Sequence, residues 1–215
     1  MRRPYHTVWY GGSMTVRERW LDEGLAVLIE EGAPGIRIDR IAARIGLSKG
    51  SFHHHFAGAA GYRTALLQRY EADALAALAT VVPGADESPA YTLAGLRDRV
   101  GELFDPRLEV AVRAWAFQDA EVRATQERVD SARLAALESL WLAIAGDPRR
   151  ARTAALLPHL LWIGASVALP PLDPAELDDV FGMLVELIPA VSGTDGSDHT
   201  VDRASRSRSS ASSNS

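Results

Sequence analysis

The sequence predicts an all-α protein, with an N-terminal three-helix helix-turn-helix domain joined by a long helix to a larger helical domain. Three observations carry this. Ile38, Ile41 and Ile45 fall three and four residues apart, and Phe52 and Phe56 repeat that spacing after a short break. The break holds Gly46, suited to a left-handed helix end, then Leu47 and Ser48, the latter suited to an N-cap. Helical spacing then resumes at Leu67, Tyr70, Ala74, Leu78 and Val81 and recurs downstream between Pro and Gly breaks.

Each element follows from local chemistry. Residues 1–14 show no helical period and are expected to be a flexible arm, in which Arg2 and Arg3 could reach a minor groove. Thr15 and Glu18 form a capping-box pattern that opens a first helix; Trp20, Leu21, Leu25 and Leu28 give its core stripe, and Gly32 and Pro34 stop it. The helix-turn-helix occupies Arg37 to Phe56. A long helix is predicted from Gly58 to Val81, ended by Pro83 and Gly84. Leu93, Leu96, Val100 and Leu103 mark the next helix. Asp105-Pro106 starts another, with Leu108, Val112 and Trp115 inward. Residues 121–145 form a further helix through Leu134, Leu137, Trp141 and Ile144, closed by Gly-Asp-Pro. Residues 154–169 and 173–191 are the last two. The Ser- and Arg-rich segment 193–215 has too little apolar surface to fold.

The outward face of the second helix of the motif carries Lys49, Gly50, Ser51, His53, His54 and His55. No Asp or Glu occurs between Ile41 and Tyr70, and Lys49 is the only lysine in the chain. Donors, small residues and no carboxylates suit a helix that enters the DNA major groove. The net charge of −5 is unevenly spread. Residues 1–70 hold ten Arg and Lys against six Asp and Glu, whereas residues 71–215 hold thirteen against twenty-two. This describes a basic head on an acidic body. Arg37 and Arg40 have two readings: contacts to the DNA backbone, or ion pairs with Asp39 and the acids of the first helix.

The stretch GLSKGSFHHHF, the amphipathic helix ending in Glu-Gly-Ala before it and the long helix after it resemble the DNA-binding core of the TetR family of bacterial regulators. The likeness extends more loosely to about Ile188. It implies that Lys49, Gly50 and His53 face base edges and that Ser51, His54 and His55 reach phosphates. The chain departs from the family pattern twice. His53 stands where Tyr is usual, which changes that contact. Ala59 stands where Lys is usual, which removes a phosphate contact. The resemblance further implies a homodimeric repressor of a palindromic operator on double-stranded DNA, in the bacterial cytoplasm, released by a small-molecule effector.

The domain organisation expected is an arm over 1–14, a DNA-binding domain over 15–60, an effector-binding and dimerisation domain over 61–192, and a tail over 193–215. Residues 154–169 are apolar almost all round. They are too short for a membrane span and contain Pro158 and His159, so a homodimer through residues 150–190 is the better reading. Candidate effector contacts are Trp115, Phe117, Gln118, Trp141, His159 and Trp162, a set suited to a mostly apolar ligand; the alternative is that they are ordinary core. Adjacent histidines on a helix diverge by about 100°, so His53, His54 and His55 cannot share one metal ion. No metal, cofactor or catalytic constellation is expected, and the chain has no cysteine. Histidine changes charge near neutrality, so DNA binding should strengthen as pH falls from about 8 to about 6. Two further readings compete: a ligand-binding helical protein without DNA, and a DNA-binding factor without effector control.

Overall fold

The computed structural model describes residues 14–80, 88–103, 105–170 and 172–186. These form nine α-helices and one 3-10 turn, with no strand among the described residues. The arm 1–13, Val81, Pro83, Gly84, Ile188 and the tail lie outside them.

Helix α1 (Val16–Glu31) starts on the expected capping box: the Thr15 side chain accepts from Glu18 N, and the Glu18 carboxylate accepts from Thr15 N at 2.7 Å. A 3-10 turn (Ala33–Gly35) leads into α2 (Ile38–Ile45). Gly46 ends α2 at φ 67° and ψ 34°, the left-handed conformation that glycine adopts without a Cβ clash. Helix α3 (Lys49–His55) follows, capped by Ser48, whose hydroxyl accepts from Ser51 N at 3.2 Å. Trp20, Leu21, Leu25, Val27, Ile41, Ala42, Phe52 and Phe56 make the head's core.

The long helix α4 (Gly58–Ala79) belongs to both halves of the molecule. Its first turns put Tyr62, Ala65 and Leu66 into the head core. Its later turns put Leu67, Tyr70 and Ala74 into a second cluster with Leu28 of α1 and with Val112, Trp115, Val122 and Val129. The expected boundary between residues 60 and 61 therefore falls inside α4. Helices α5 (Pro89–Leu103), α6 (Pro106–Ala116) and α7 (Ala120–Ala145) come next. Asp105 and Asp119 cap α6 and α7 through their carboxylates.

Helix α8 (Pro148–Val167) begins six residues before the predicted 154. Gly146 and Asp147 were read only as the end of the preceding helix. Gly146 is that end, at φ 66°, but Asp147 caps the next helix by accepting from Arg150 N at 2.8 Å. Helix α9 (Pro174–Glu186) is the last described element. A third apolar cluster joins Leu93 of α5, Leu134, Leu140 and Trp141 of α7, and Ala151, Ala154 and Ala155 of α8. No helix among the described residues is long and apolar enough to cross a membrane.

Candidate nucleic-acid interface

The recognition surface is built around one ring. Phe52 is fully buried, with Trp20 edge-on at 5.2 Å between ring centroids, Tyr62 at 5.4 Å and Phe56 at 5.3 Å. Removing such a ring from a packed core costs about 3–5 kcal/mol. The anchor fixes the rotation of α3, a helix of seven residues that could not hold itself in isolation. With Phe52 pinned inward, Lys49, Gly50, His53 and His54 are exposed and Ser51 and His55 are half-buried. These are the six residues read from the sequence, and they share one end of the head.

Arg37 and Arg40 are both engaged within the chain. Arg37 pairs with Asp39 at 3.1 Å and Arg40 with Glu31 at 2.5 Å, although both side chains are about half exposed or more. Slight burial pushes the Asp39 carboxyl up, but the Arg37 charge and nearby backbone N–H groups outweigh it and hold the carboxyl below its usual value. Arg44 binds Glu23, Glu30 and Glu31, the Glu30 contact at 2.9 Å. Arg19 donates to the carbonyl oxygen of Ile45 at 2.7 Å and so ties α1 to the end of α2.

These pairs engage most of the basic side chains of the described head. Residues 14–61 carry six basic and six acidic side chains, so their formal charge is zero. The excess over residues 1–70 comes from Arg2 and Arg3, outside the described residues, and from Arg63 and Arg69. Arg63 binds Asp119 at 2.9 Å and Glu121 at 2.8 Å, and Arg69 binds Asp22 at 3.2 Å and Asp73 at 2.7 Å. Neither is a spare cation. The candidate face carries no acid, and Asp22, Glu23, Glu30 and Glu31 of α1 are held by Arg40, Arg44 and Arg69.

Residues 21–61, from the middle of α1 to the start of α4, match a family model described as bacterial regulatory proteins, tetR family. The head belongs to the TetR family. A TetR-family head is the DNA-binding part of a bacterial transcriptional regulator. The fold of the chain agrees over its greater length. A transcriptional regulator from Rhodococcus sp. Rha1 superposes with a TM-score of 0.66 at 23% identity, over 82% of this chain and 97% of that one. Reduced NemR from E. coli gives a TM-score of 0.66 at 16% identity, over 85% and 100%. A transcriptional regulator from Streptomyces coelicolor A3(2), described as putative, gives 0.59 at 23% identity, over 83% and 98%. No curated protein sequence matches the chain.

The body residues singled out from the sequence lie on α6, α7 and α8 and the turn after α6. Trp115 lies in the second cluster, beside α4, and Trp141 lies in the third. Gln118 is exposed in the turn after α6, next to Phe117, which is 83% exposed. His159 is buried and Trp162 is half-buried on α8.

A buried polar network went unread. Arg133 grips Glu109 with two hydrogen bonds, one of 2.9 Å, and Arg113 grips Asp130 with two of 2.8 Å. The Tyr70 hydroxyl stands 2.8 Å from Gln126 Oε1 and 3.1 Å from Glu109 Oε1. Gln126 Nε2 donates to Asp130 at 3.1 Å. Burial first, then the Glu109 charge, raises the Tyr70 hydroxyl well above its usual value, so it remains a donor. Among the described residues, two guanidinium groups face two carboxylates here. The network ties α4, which carries the head, to α6 and α7. The sequence signal was present as Glu109 with Arg113 and Asp130 with Arg133, four and three apart. Such spacings usually mark solvated pairs on a helix surface.

Proposed function

We propose that the chain is a homodimeric transcriptional repressor that binds a palindromic operator on double-stranded DNA and is released by a small, mostly apolar effector. The observation that carries the DNA reading is the outward, acid-free face of α3, held by the buried Phe52. In this reading Lys49, Gly50 and His53 meet base edges, and Ser51, His54 and His55 meet phosphates. Arg37 and Arg40 exchange their acidic partners for phosphate or share them. Residues 15–60 supply recognition and residues 61–192 supply assembly and effector binding, with α4 contributing to both cores.

Dimerisation is supported by apolar side chains left exposed on α8 and α9. Leu157, Leu160 and Val167 on α8 and Val180 and Met183 on α9 stay well exposed among the described residues. Two copies of this helix pair across a two-fold axis would bury them. Two recognition helices could then read half-sites about 34–36 Å apart, or a multiple of that. An effector that stabilised a different spacing would lower DNA affinity. Trp115, Gln118, Trp141, His159 and Trp162 are the candidate contacts of such a molecule.

The test is a titration of a fluorescent duplex recovered by selection, run beside light scattering. Duplex binding by a species of twice the chain mass supports the reading. A monomer at micromolar concentration removes the dimer, and a failure to bind removes the operator. A thermal-shift screen of small hydrophobic compounds tests the effector: one that raises the melting temperature and weakens duplex binding supports release. Stabilisation without an effect on DNA would leave ligand binding and remove control.

A further inference from the structure

We infer that Arg17 is a phosphate contact of the DNA interface, set at the C-terminal end of the recognition helix opposite Lys49. The inference rests on the DNA-binding reading above and extends it to a residue outside the segment matched by the family model, which starts at residue 21.

The described basic side chains of the head and the first part of α4 are Arg17, Arg19, Arg37, Arg40, Arg44, Lys49, Arg63 and Arg69. Arg19 is occupied by a carbonyl oxygen. Arg37, Arg40, Arg44, Arg63 and Arg69 are occupied by carboxylates. Arg17 and Lys49 alone have no hydrogen bond or ion pair from their side chains to another described residue. A head with no net charge must attract a polyanion through particular cations rather than through an average field, and these two are the uncommitted ones.

Position supplies the second part. Lys49 is the first residue of α3. The Arg17 guanidinium lies over the ring of Phe56, 5.4 Å from its centroid, and Phe56 is the residue that closes α3. A helix of this length is about 10 Å long, close to the major-groove width of about 12 Å. The two cations thus bracket the exposed histidines, one at each end of the inserted element. Stacking on an aromatic face restrains the guanidinium while leaving its N–H donors free for a phosphate oxygen. Arg17 is exposed. The neighbouring carboxylate of Glu18 feels the Arg17 charge but forms no ion pair with it, being folded back onto Thr15 N and Oγ1 at 2.7 and 2.8 Å.

The experiment compares wild type with Arg17→Gln and Arg17→Lys on two 30-bp duplexes, one of mixed sequence and one recovered by selection, across a salt series. Arg17→Gln keeps an aliphatic stem on Phe56 and loses the charge. It should weaken binding several-fold, equally on both duplexes. It should also reduce the slope of log affinity against log salt by about one per Arg17 that meets a phosphate. Arg17→Lys should keep most of the slope. Thermal unfolding of each variant separates lost folding from lost contact. An unchanged slope for a folded Arg17→Gln overturns the inference, and so does a loss confined to the selected duplex. Absence of duplex binding by wild type would instead overturn the DNA reading itself.

Discussion

The Tyr62 hydroxyl donates to the carbonyl oxygen of Trp20 at 2.5 Å, across 42 residues of sequence. This bond joins the first full turn of α4 to the middle of α1, inside the ring cluster that fixes α3. Burial first, then the charges of Glu23 and Asp22, keeps the hydroxyl protonated far above neutrality. The approach is possible because residue 24 is glycine: a Cβ there would lie 2.2 Å from Tyr62 Oη and 2.7 Å from Leu66 Cδ2. Tyr62→Phe should cost about 1 kcal/mol, the net worth of a typical hydrogen bond. Gly24→Ala should cost about 1–3 kcal/mol as an overpacked site. In the double variant the costs should fall short of their sum, because removing the hydroxyl removes the worst clash. Denaturant unfolding of the three variants checks this.

Gly50 gives a cleaner separation of folding from function. A Cβ at Gly50 would meet nothing closer than Ser48 Oγ at 3.5 Å, an ordinary contact. Gly50→Ala should therefore stabilise the free protein slightly, by up to about 1 kcal/mol from helix propensity. If α3 lies against base edges, the same methyl should weaken binding to the selected duplex. Melting temperature and duplex affinity should move in opposite directions.

The network between α4, α6 and α7 makes a strong claim about stability. Glu109→Gln removes the nearest counter-charge of the buried Arg133, which keeps Asp130 at 3.6 Å, and should cost up to about 3–5 kcal/mol, whereas replacing both by Met should recover much of that loss. Urea unfolding of the single and double variants is the measurement.

The same region sets the acid limb of stability. Burial pushes the Asp130 carboxyl up, but the Arg113 fork and charge outweigh it and hold the carboxyl below its usual value. Its stabilisation is complete above the unfolded value of about 3.9 and is lost as pH falls through the lower folded value. Burial lowers His159, and the charges of Arg113 and Arg133 add to this against the pull of Asp130. Below about 6.5 the unfolded chain therefore binds that proton more readily, and stability declines as pH falls. Unfolding free energy should drop in two stages between about pH 7 and pH 3. His159→Gln should flatten the upper stage alone.

Much of the head was legible because its signals are local. Thr15 with Glu18, Gly46 at the helix end, Ser48 at the next cap and the Phe52–Phe56 pair are each decided within a few residues of sequence. The start of α8 was misread because Gly146-Asp147-Pro148 is at once a stop for one helix and a start for the next. What escaped was non-local. Nothing in the sequence says that Tyr62 meets Trp20, that Arg63 and Arg69 turn to acids elsewhere, or that Glu109 and Arg133 are buried together. Net charge by segment suggested a basic head because it counts residues and not partners. Trp115 and Trp141 looked alike as large side chains on body helices, and the packing puts them in different clusters.

In the proposed dimer the exposed apolar positions on α8 and α9 form the interface. Leu160 is 58% exposed and Met183 is 66% exposed in the single chain. Leu160→Glu combined with Met183→Glu should leave the monomer folded, because both side chains are more than half exposed in it. The pair should halve the mass seen by light scattering and weaken operator binding by far more than it weakens binding to a single half-site.

The central claim is that a rigidly anchored α3, presented twice by a dimer, reads DNA sequence. Its most direct test is selection of bound duplexes from a random pool by wild type and by Lys49→Ala. Wild type should enrich an inverted repeat, and Lys49→Ala should lose about 1–3 kcal/mol and relax the preference at one position of each half-site. Recovery of a pool as random as the input, at moderate salt and from folded protein, would contradict it.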